Sequence, residues 1–289
     1  MSGKPYPLRG TDGPAAGRLL LIDGLAGSPS IWSSFADLAA PEYEIWHMDV
    51  PWGSPGVRDW GLDHDLVRWL SPALESGTGS GPFDVAVAHS FGANLLLELL
   101  CRDQLAAPPS KVVLVSPFYR PSADSFDWAT MSYFLNEWHL LLEEGVRVRA
   151  SGRMSARSLR DTSVKLRDLL GPYAWIRFFD TYLRTPELRV DRLTSRFLVV
   201  GGDSDPASAD TDSQHLADRL PDSRLVILPG CRHFAMVEYG IEFAKLVSEF
   251  LAPVSLPTAP PTRQEQTDHE HDPALTSGQH DRRGGAPPV

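Results

Sequence analysis

Short apolar runs alternate with amphipathic stretches along most of this chain. Leu19–Asp23, Tyr43–Val50, Val85–Ala88, Lys111–Ser116, Arg196–Val200 and Arg224–Leu228 are apolar runs of strand length. Runs that short, bounded by Gly, Pro and Ser, read as buried strands. Between them, Ser30–Ala39 and Asp63–Leu74 are expected as helices, and Gly77–Pro82 as a flexible loop. Strand and helix in turn predict an α/β fold: a mostly parallel central sheet with helices on both faces.

From Phe118 to Asp191 the strand pattern stops and three helical stretches are predicted. Phe126–Glu144 spaces Phe134, Leu135, Trp138, Leu141 and Leu142 helically, with Gly145 as the expected stop. Ser155–Leu170 ends at Gly171, and Tyr173–Thr185 follows Pro172 with Trp175, Phe178, Phe179 and Tyr182. After Leu251 the chain is rich in Pro, Thr, Asp and His without apolar periodicity, which predicts disorder. The expected organisation is a flexible leader over 1–16, an α/β core over 17–117 and 192–252, a helical insertion over 118–191, and a disordered tail over 253–289.

Composition narrows the function classes. Of 289 residues, 42% are hydrophobic, ordinary for a globular protein. A net charge of −10 argues against a nucleic-acid groove. No apolar stretch approaches the roughly 20 residues of a membrane helix, and Met1–Gly17 is polar without a charged-then-apolar leader. With Cys101 and Cys231 read as reduced packing residues, the chain is expected to be cytoplasmic. The Asp268–Asp272 run, with two histidines, lies in the expected tail, where rigid metal ligation has no support. No metal and no cofactor are expected.

The chemistry collects at strand ends. In Ala88-His89-Ser90-Phe91-Gly92 a serine stands between a buried strand and a helix. Such a turn presents its hydroxyl above the sheet edge, backed by free N–H groups of the helix start. Gly201-Gly202-Asp203-Ser204-Asp205 ends a second strand with two carboxylates, and Cys231-Arg232-His233 ends a third. In a parallel sheet these ends share one edge. A serine hydroxyl needs an imidazole to take its proton and a carboxylate to orient that imidazole.

A fourth strand runs into Asp23-Gly24-Leu25-Ala26-Gly27-Ser28, with Trp32 beyond. Together these segments resemble the α/β-hydrolase superfamily, across about residues 17 to 252. There the first motif reads H-G-x-x-G-S before a tryptophan, the elbow G-x-S-x-G, and the last G-C-G-H-F. Asp49-Val50-Pro51-Trp52-Gly53 resembles the family's D-x-P-G-x-G turn. The resemblance implies the α/β-hydrolase fold, with 118–191 as a helical cap. It implies Ser90 as nucleophile, His233 as base and then acid, and the N–H groups of Leu25 and Phe91 as oxyanion hole. Family spacing selects Asp205 over Asp203 as the acid, with Asp124 a remoter alternative. Phe134, Trp138, Trp175 and Phe178 from the cap, and Asp23 from the loop, are the candidates for the substrate pocket.

The chain departs from the family pattern at Ala88, at Asp23 in place of histidine, and at Arg232 in place of glycine. A carboxylate at Asp23 either opposes an oxyanion or ties its own loop by accepting backbone N–H bonds. Arg147, Arg149, Arg153, Arg157 and Arg160 form a solvated face, or else a contact for a phosphopantetheine, a carrier protein or a carboxylate. The implied function is a serine hydrolase of an ester, thioester or lactone with an apolar or aromatic acyl part. CoA- or carrier-linked acyl groups are among the candidate substrates. The stretch to Trp32 also resembles the menaquinone-pathway lyases and C–C bond hydrolases of the superfamily, so a lyase or C–C hydrolase is the first alternative. A cyclase or non-hydrolytic binding protein is the second.

Overall fold

A computed structural model describes residues 3–53, 59–78 and 81–252. Its strands are β1 (Pro5–Arg9), β2 (Gly17–Ile22), β3 (Tyr43–Met48), β4 (Val85–His89), β5 (Lys111–Val115), β6 (Arg196–Gly202) and β7 (Ser223–Leu228). They form one seven-stranded sheet in the order β1-β3-β2-β4-β5-β6-β7. All neighbours pair in parallel except β1, which is antiparallel to β3.

The helices are α1 (Ser33–Leu38), α2 (Ser71–Ser76), α3 (Phe91–Cys101), α4 (Trp128–Ala150), α5 (Ala156–Arg184), α6 (Asp210–Arg219), α7 (Ala235–Glu238) and α8 (Gly240–Leu251). Alternation along β2 sends Leu19 and Leu21 to one face and Leu20 and Ile22 to the other. The first face packs on α1 and α8 through Phe35 and Phe243. The second packs on α3 and α6 and continues into α4 and α5 through Phe134, Trp138 and Phe178. This is the α/β-hydrolase architecture, and it brings the ends of β2, β4, β6 and β7 to one edge. No helix among the described residues is long and apolar enough to cross a membrane.

Several expectations need correction. The stretch expected as a flexible leader contains β1, whose prolines at 5 and 7 sit on an edge strand where a missing N–H is tolerated. Arg9 fastens it by donating to the carbonyls of Ala36, Ala39, Ala40 and Tyr43. Asp63–Leu74 is not one helix but a 3-10 turn at Leu66–Trp69 followed by α2, with Pro72 in the first turn of α2. Gly145 does not stop α4, which runs on to Ala150 and ends at Ser151 in the left-handed conformation. Ser155–Leu170 and Tyr173–Thr185 join as α5, kinked where Gly171 has φ 79° ahead of Pro172. The tail over 253–289, with its histidines, lies outside the described residues, as do residues 79 and 80 of the Gly77–Pro82 loop.

Candidate active site

Ser90 joins β4 to α3 at φ 52°, ψ −123°, a strained conformation for a residue with a side chain. The strain is held on both sides. The Ser90 N–H donates to Val115 O at 2.8 Å, extending the ladder, while the Ser90 carbonyl accepts from Ala93 and Asn94. Gly92 permits the crossing: a Cβ there would lie 2.3 Å from the Asp23 carbonyl oxygen.

His233 follows β7, and its Nε2 lies 2.9 Å from Ser90 Oγ. Its Nδ1 lies 2.8 Å from Asp205 Oδ2, on the loop after β6. The other Asp205 oxygen accepts from the amides of Ala207 at 2.7 Å and Ser208 at 3.1 Å. Burial pushes the Asp205 carboxyl up, but His233 and the two amides outweigh it and hold the group below its ordinary value. An ionised Asp205 keeps the proton on Nδ1 of His233, which leaves Nε2 free to accept from the serine.

Asp203 turns the other way. Its Oδ1 accepts from the Gly230 amide at 2.7 Å and from Ser204, tying the β6 loop to the β7 loop. Asp124 is exposed on a 3-10 turn. His89 stands under the His233 ring at a centroid distance of 4.8 Å. It donates from Nε2 to the His233 carbonyl at 2.9 Å. Burial, then the neighbouring imidazole, pushes His89 down to about 3, so it stays neutral beside His233.

The N–H groups of Leu25 and Phe91 have no acceptor among the described residues. The loop carrying Leu25 is shaped by Ala26 at φ 54°, whose N–H donates to Trp52 O at 2.8 Å. Gly24 lets it close on the elbow, since a Cβ there would meet Ser90 Cβ at 2.9 Å.

Both charged departures find partners away from Ser90. Asp23 is 2% exposed; Trp32 Nε1 donates to its Oδ1 at 2.7 Å and His47 Nε2 lies 3.0 Å from its Oδ2. Its carbonyl accepts from Trp52 Nε1 at 2.9 Å. Asp23 thus ties its loop through side-chain donors, not through backbone N–H groups, and does not line the pocket.

Arg232 donates from Nε to Glu144 Oε2 at 2.9 Å and from Nη2 to Glu144 Oε1. Glu144 is 3% exposed on α4 and also binds Arg147, which reaches Glu238 at 3.0 Å. Glu238 in turn accepts the Phe234 N–H. The residues on both sides of His233 are therefore tethered to one charge network. His47 and Glu144 carried no motif in the sequence; only the two unusual charges at 23 and 232 pointed to hidden partners.

The Ser90 pocket is small, about 30 Å³. Trp138, Leu142 and Phe178 wall it from α4 and α5, with Arg149 beside Gly145. The Arg149 guanidinium donates to the carbonyls of Gly145 and Ala26, and burial lowers its pKa. Phe134 is buried in the ring cluster with Phe178 and Tyr182, and Trp175 stacks on Phe179 at 4.8 Å; neither lines this pocket. Arg153, Arg157 and Arg160 are exposed. No cluster of metal-ligating side chains occurs among the described residues.

The family model described as Alpha/beta hydrolase family matches residues 19–246. The chain belongs to the alpha/beta hydrolase family. Among solved members of the fold, this alpha/beta hydrolase is similar to the enol-lactonase from Burkholderia xenovorans, with 17% identity, 86% of this chain and 95% of that one covered, and a TM-score of 0.54. It is also similar to a thermophilic esterase from Thermogutta terrifontis, with 16% identity, 86% and 92% covered, TM-score 0.56. A lipase-esterase related protein from Clostridium acetobutylicum gives 13% identity, 87% and 100% covered, TM-score 0.59. At these identities the likeness is one of fold. No curated protein matches the sequence.

Proposed function

We propose that the protein is a serine hydrolase that cleaves an ester, thioester or lactone with an apolar or aromatic acyl part. The observation that carries this reading is the unbroken chain Ser90 Oγ, His233 Nε2, His233 Nδ1, Asp205 Oδ2, with steps of 2.9 and 2.8 Å. Ser90 Oγ attacks the acyl carbon while its proton passes to His233 Nε2. The carbonyl oxygen gains the charge and is met by the Leu25 and Phe91 N–H groups. The intermediate then collapses, and His233 returns the proton to the leaving oxygen or sulfur. Water, deprotonated by His233, releases the acid and restores Ser90.

Apolar walls at Trp138, Leu142 and Phe178 support an apolar acyl part. Asp23 and Arg232, the two charged departures from the family pattern, both have partners outside the pocket. The test is turnover on aliphatic and aromatic esters, thioesters and lactones, with Ser90→Ala as the control. Hydrolysis that falls by ~10⁴ or more in that variant supports the reading. Undiminished turnover in Ser90→Ala would replace it with a proton-transfer mechanism.

A further inference from the structure

The void around Ser90 is too small for the substrates proposed above. About 30 Å³ holds on the order of two water molecules, whereas sites for small molecules run to roughly 300–1,000 Å³. A second void of about 540 Å³ lies between α4 and α5. It exists because Gly171 and Pro172 kink α5, and both residues line it. One side chain, Trp138, borders both spaces.

Two indoles face this groove, and they are held differently. Trp175 donates from Nε1 to the Phe134 carbonyl at 3.2 Å and stacks on Phe179. Trp138 is 5% exposed, yet its Nε1 is buried without an acceptor among the described residues. A buried N–H without a partner disfavours the conformation that hides it. The one residue that lines both voids is thus held by no side-chain hydrogen bond among the described residues.

The walls define the occupant. Leu135, Pro172, Trp175 and Ile176 make most of the wall apolar, and Asn136 and His139 add two polar side chains. The charged pair at the rim, Arg167 and Asp168, is joined at 2.8 Å, so it offers no net charge to an ionic ligand. A path made by moving a single indole admits a linear chain more readily than a branched one.

We propose that the groove between α4 and α5 binds an unbranched aliphatic acyl chain of the substrate, reached from Ser90 when the Trp138 indole turns aside. This assignment rests on the hydrolase reading and names the acyl class for the same site. It makes Trp138 a specificity-determining residue.

The full chain is assayed on p-nitrophenyl acetate, hexanoate and decanoate. In the wild type, kcat/KM rises about tenfold or more from acetate to decanoate. Leu135→Arg and Ile176→Arg each place a charged side chain across the groove. Each lowers the decanoate-to-acetate ratio of kcat/KM about tenfold, and circular dichroism confirms folding. A decyl fluorophosphonate adduct on Ser90 shows its chain running past a displaced Trp138 into the groove.

A flat chain-length profile, ratios unchanged in both arginine variants, or an adduct whose chain leaves by Arg149 would overturn the proposal. So would arginine variants that convert a dimer to a monomer in sedimentation while keeping the ratio, because a second copy of the chain would then cover the groove. If no ester is turned over, the hydrolase reading fails separately. Decanol titration then decides the groove: saturable quenching of tryptophan fluorescence that Ile176→Arg abolishes upholds it, and no quenching overturns it.

Discussion

Replacing Asp205 by asparagine should disable the site through a proton and leave its shape intact. Asp205 Oδ1 accepts two amide hydrogens, from Ala207 at 2.7 Å and Ser208 at 3.1 Å. Those amides accept no substitute for an oxygen, so the asparagine carbonyl takes that side and its NH₂ faces His233. His233 Nδ1, 2.8 Å away in the parent, must then become an acceptor, and the ring proton moves to Nε2. A protonated Nε2 cannot take the proton of Ser90. The loss expected by analogy with other triads is ~10⁴ in turnover, about 5 kcal/mol of barrier.

Asp203 is the built-in control, because it follows the same strand. Its Oδ1 serves Gly230 and Ser204, and an asparagine there keeps that oxygen. Stability should fall by no more than ~1 kcal/mol and turnover by less than about threefold. The assay is kcat on an accepted ester for both variants, with circular dichroism for folding. An inactive Asp203→Asn, or an Asp205→Asn that keeps more than about a tenth of wild-type turnover, would refute the reasoning.

Three further outcomes follow from the packing. Glu144→Gln weakens the tether on the His233 loop; Arg147 and Arg232 are about a third or more exposed and can turn to water, so the loss should be ~1–2 kcal/mol, measured by urea unfolding, with a fall in kcat. Asp23→Ala strands the Trp32 and His47 donors in the core and should cost ~2–5 kcal/mol in the same experiment. Asp212 provides a pH test: burial first, then the charge of Asp205, raises its carboxyl from 3.8 to about 7. The folded chain therefore holds a proton that the unfolded chain releases, and stability contributed by this group falls as pH rises through that window. Asp212→Asn should raise the melting temperature more at about pH 8 than at about pH 5; an equal effect at both would count against a raised carboxyl at this half-buried position.

Local patterns were readable in the sequence where the structure depends on local chemistry. Strand ends after β4, β6 and β7 are set by apolar runs meeting glycine turns, so the sequence alone puts Ser90, Asp205 and His233 on one edge. Strand β1 was not readable, because a polar, proline-rich segment is held there by main-chain pairing and by the distant carbonyls that Arg9 reaches. Gly145 looked like a helix stop, yet it sits in mid-helix, where a Cβ would crowd the Arg149 guanidinium at 3.2 Å. Asp23 and Arg232 were legible as anomalies, but His47 and Glu144 lie 24 and 88 positions away from them, beyond any local pattern. The pocket wall divided likewise: helical spacing put Trp138, Trp175, Phe134 and Phe178 on two helices, while packing decided that only Trp138 and Phe178 face Ser90.

The central claim is that Ser90 forms a covalent bond during turnover. The most direct measurement is mass spectrometry of the full chain after reaction with a fluorophosphonate. One adduct should form, on the peptide that carries Ser90, and it should be absent in Ser90→Ala and form far more slowly in His233→Ala. Labelling at the wild-type rate in Ser90→Ala, or an adduct on another residue while ester turnover continues, would contradict the account.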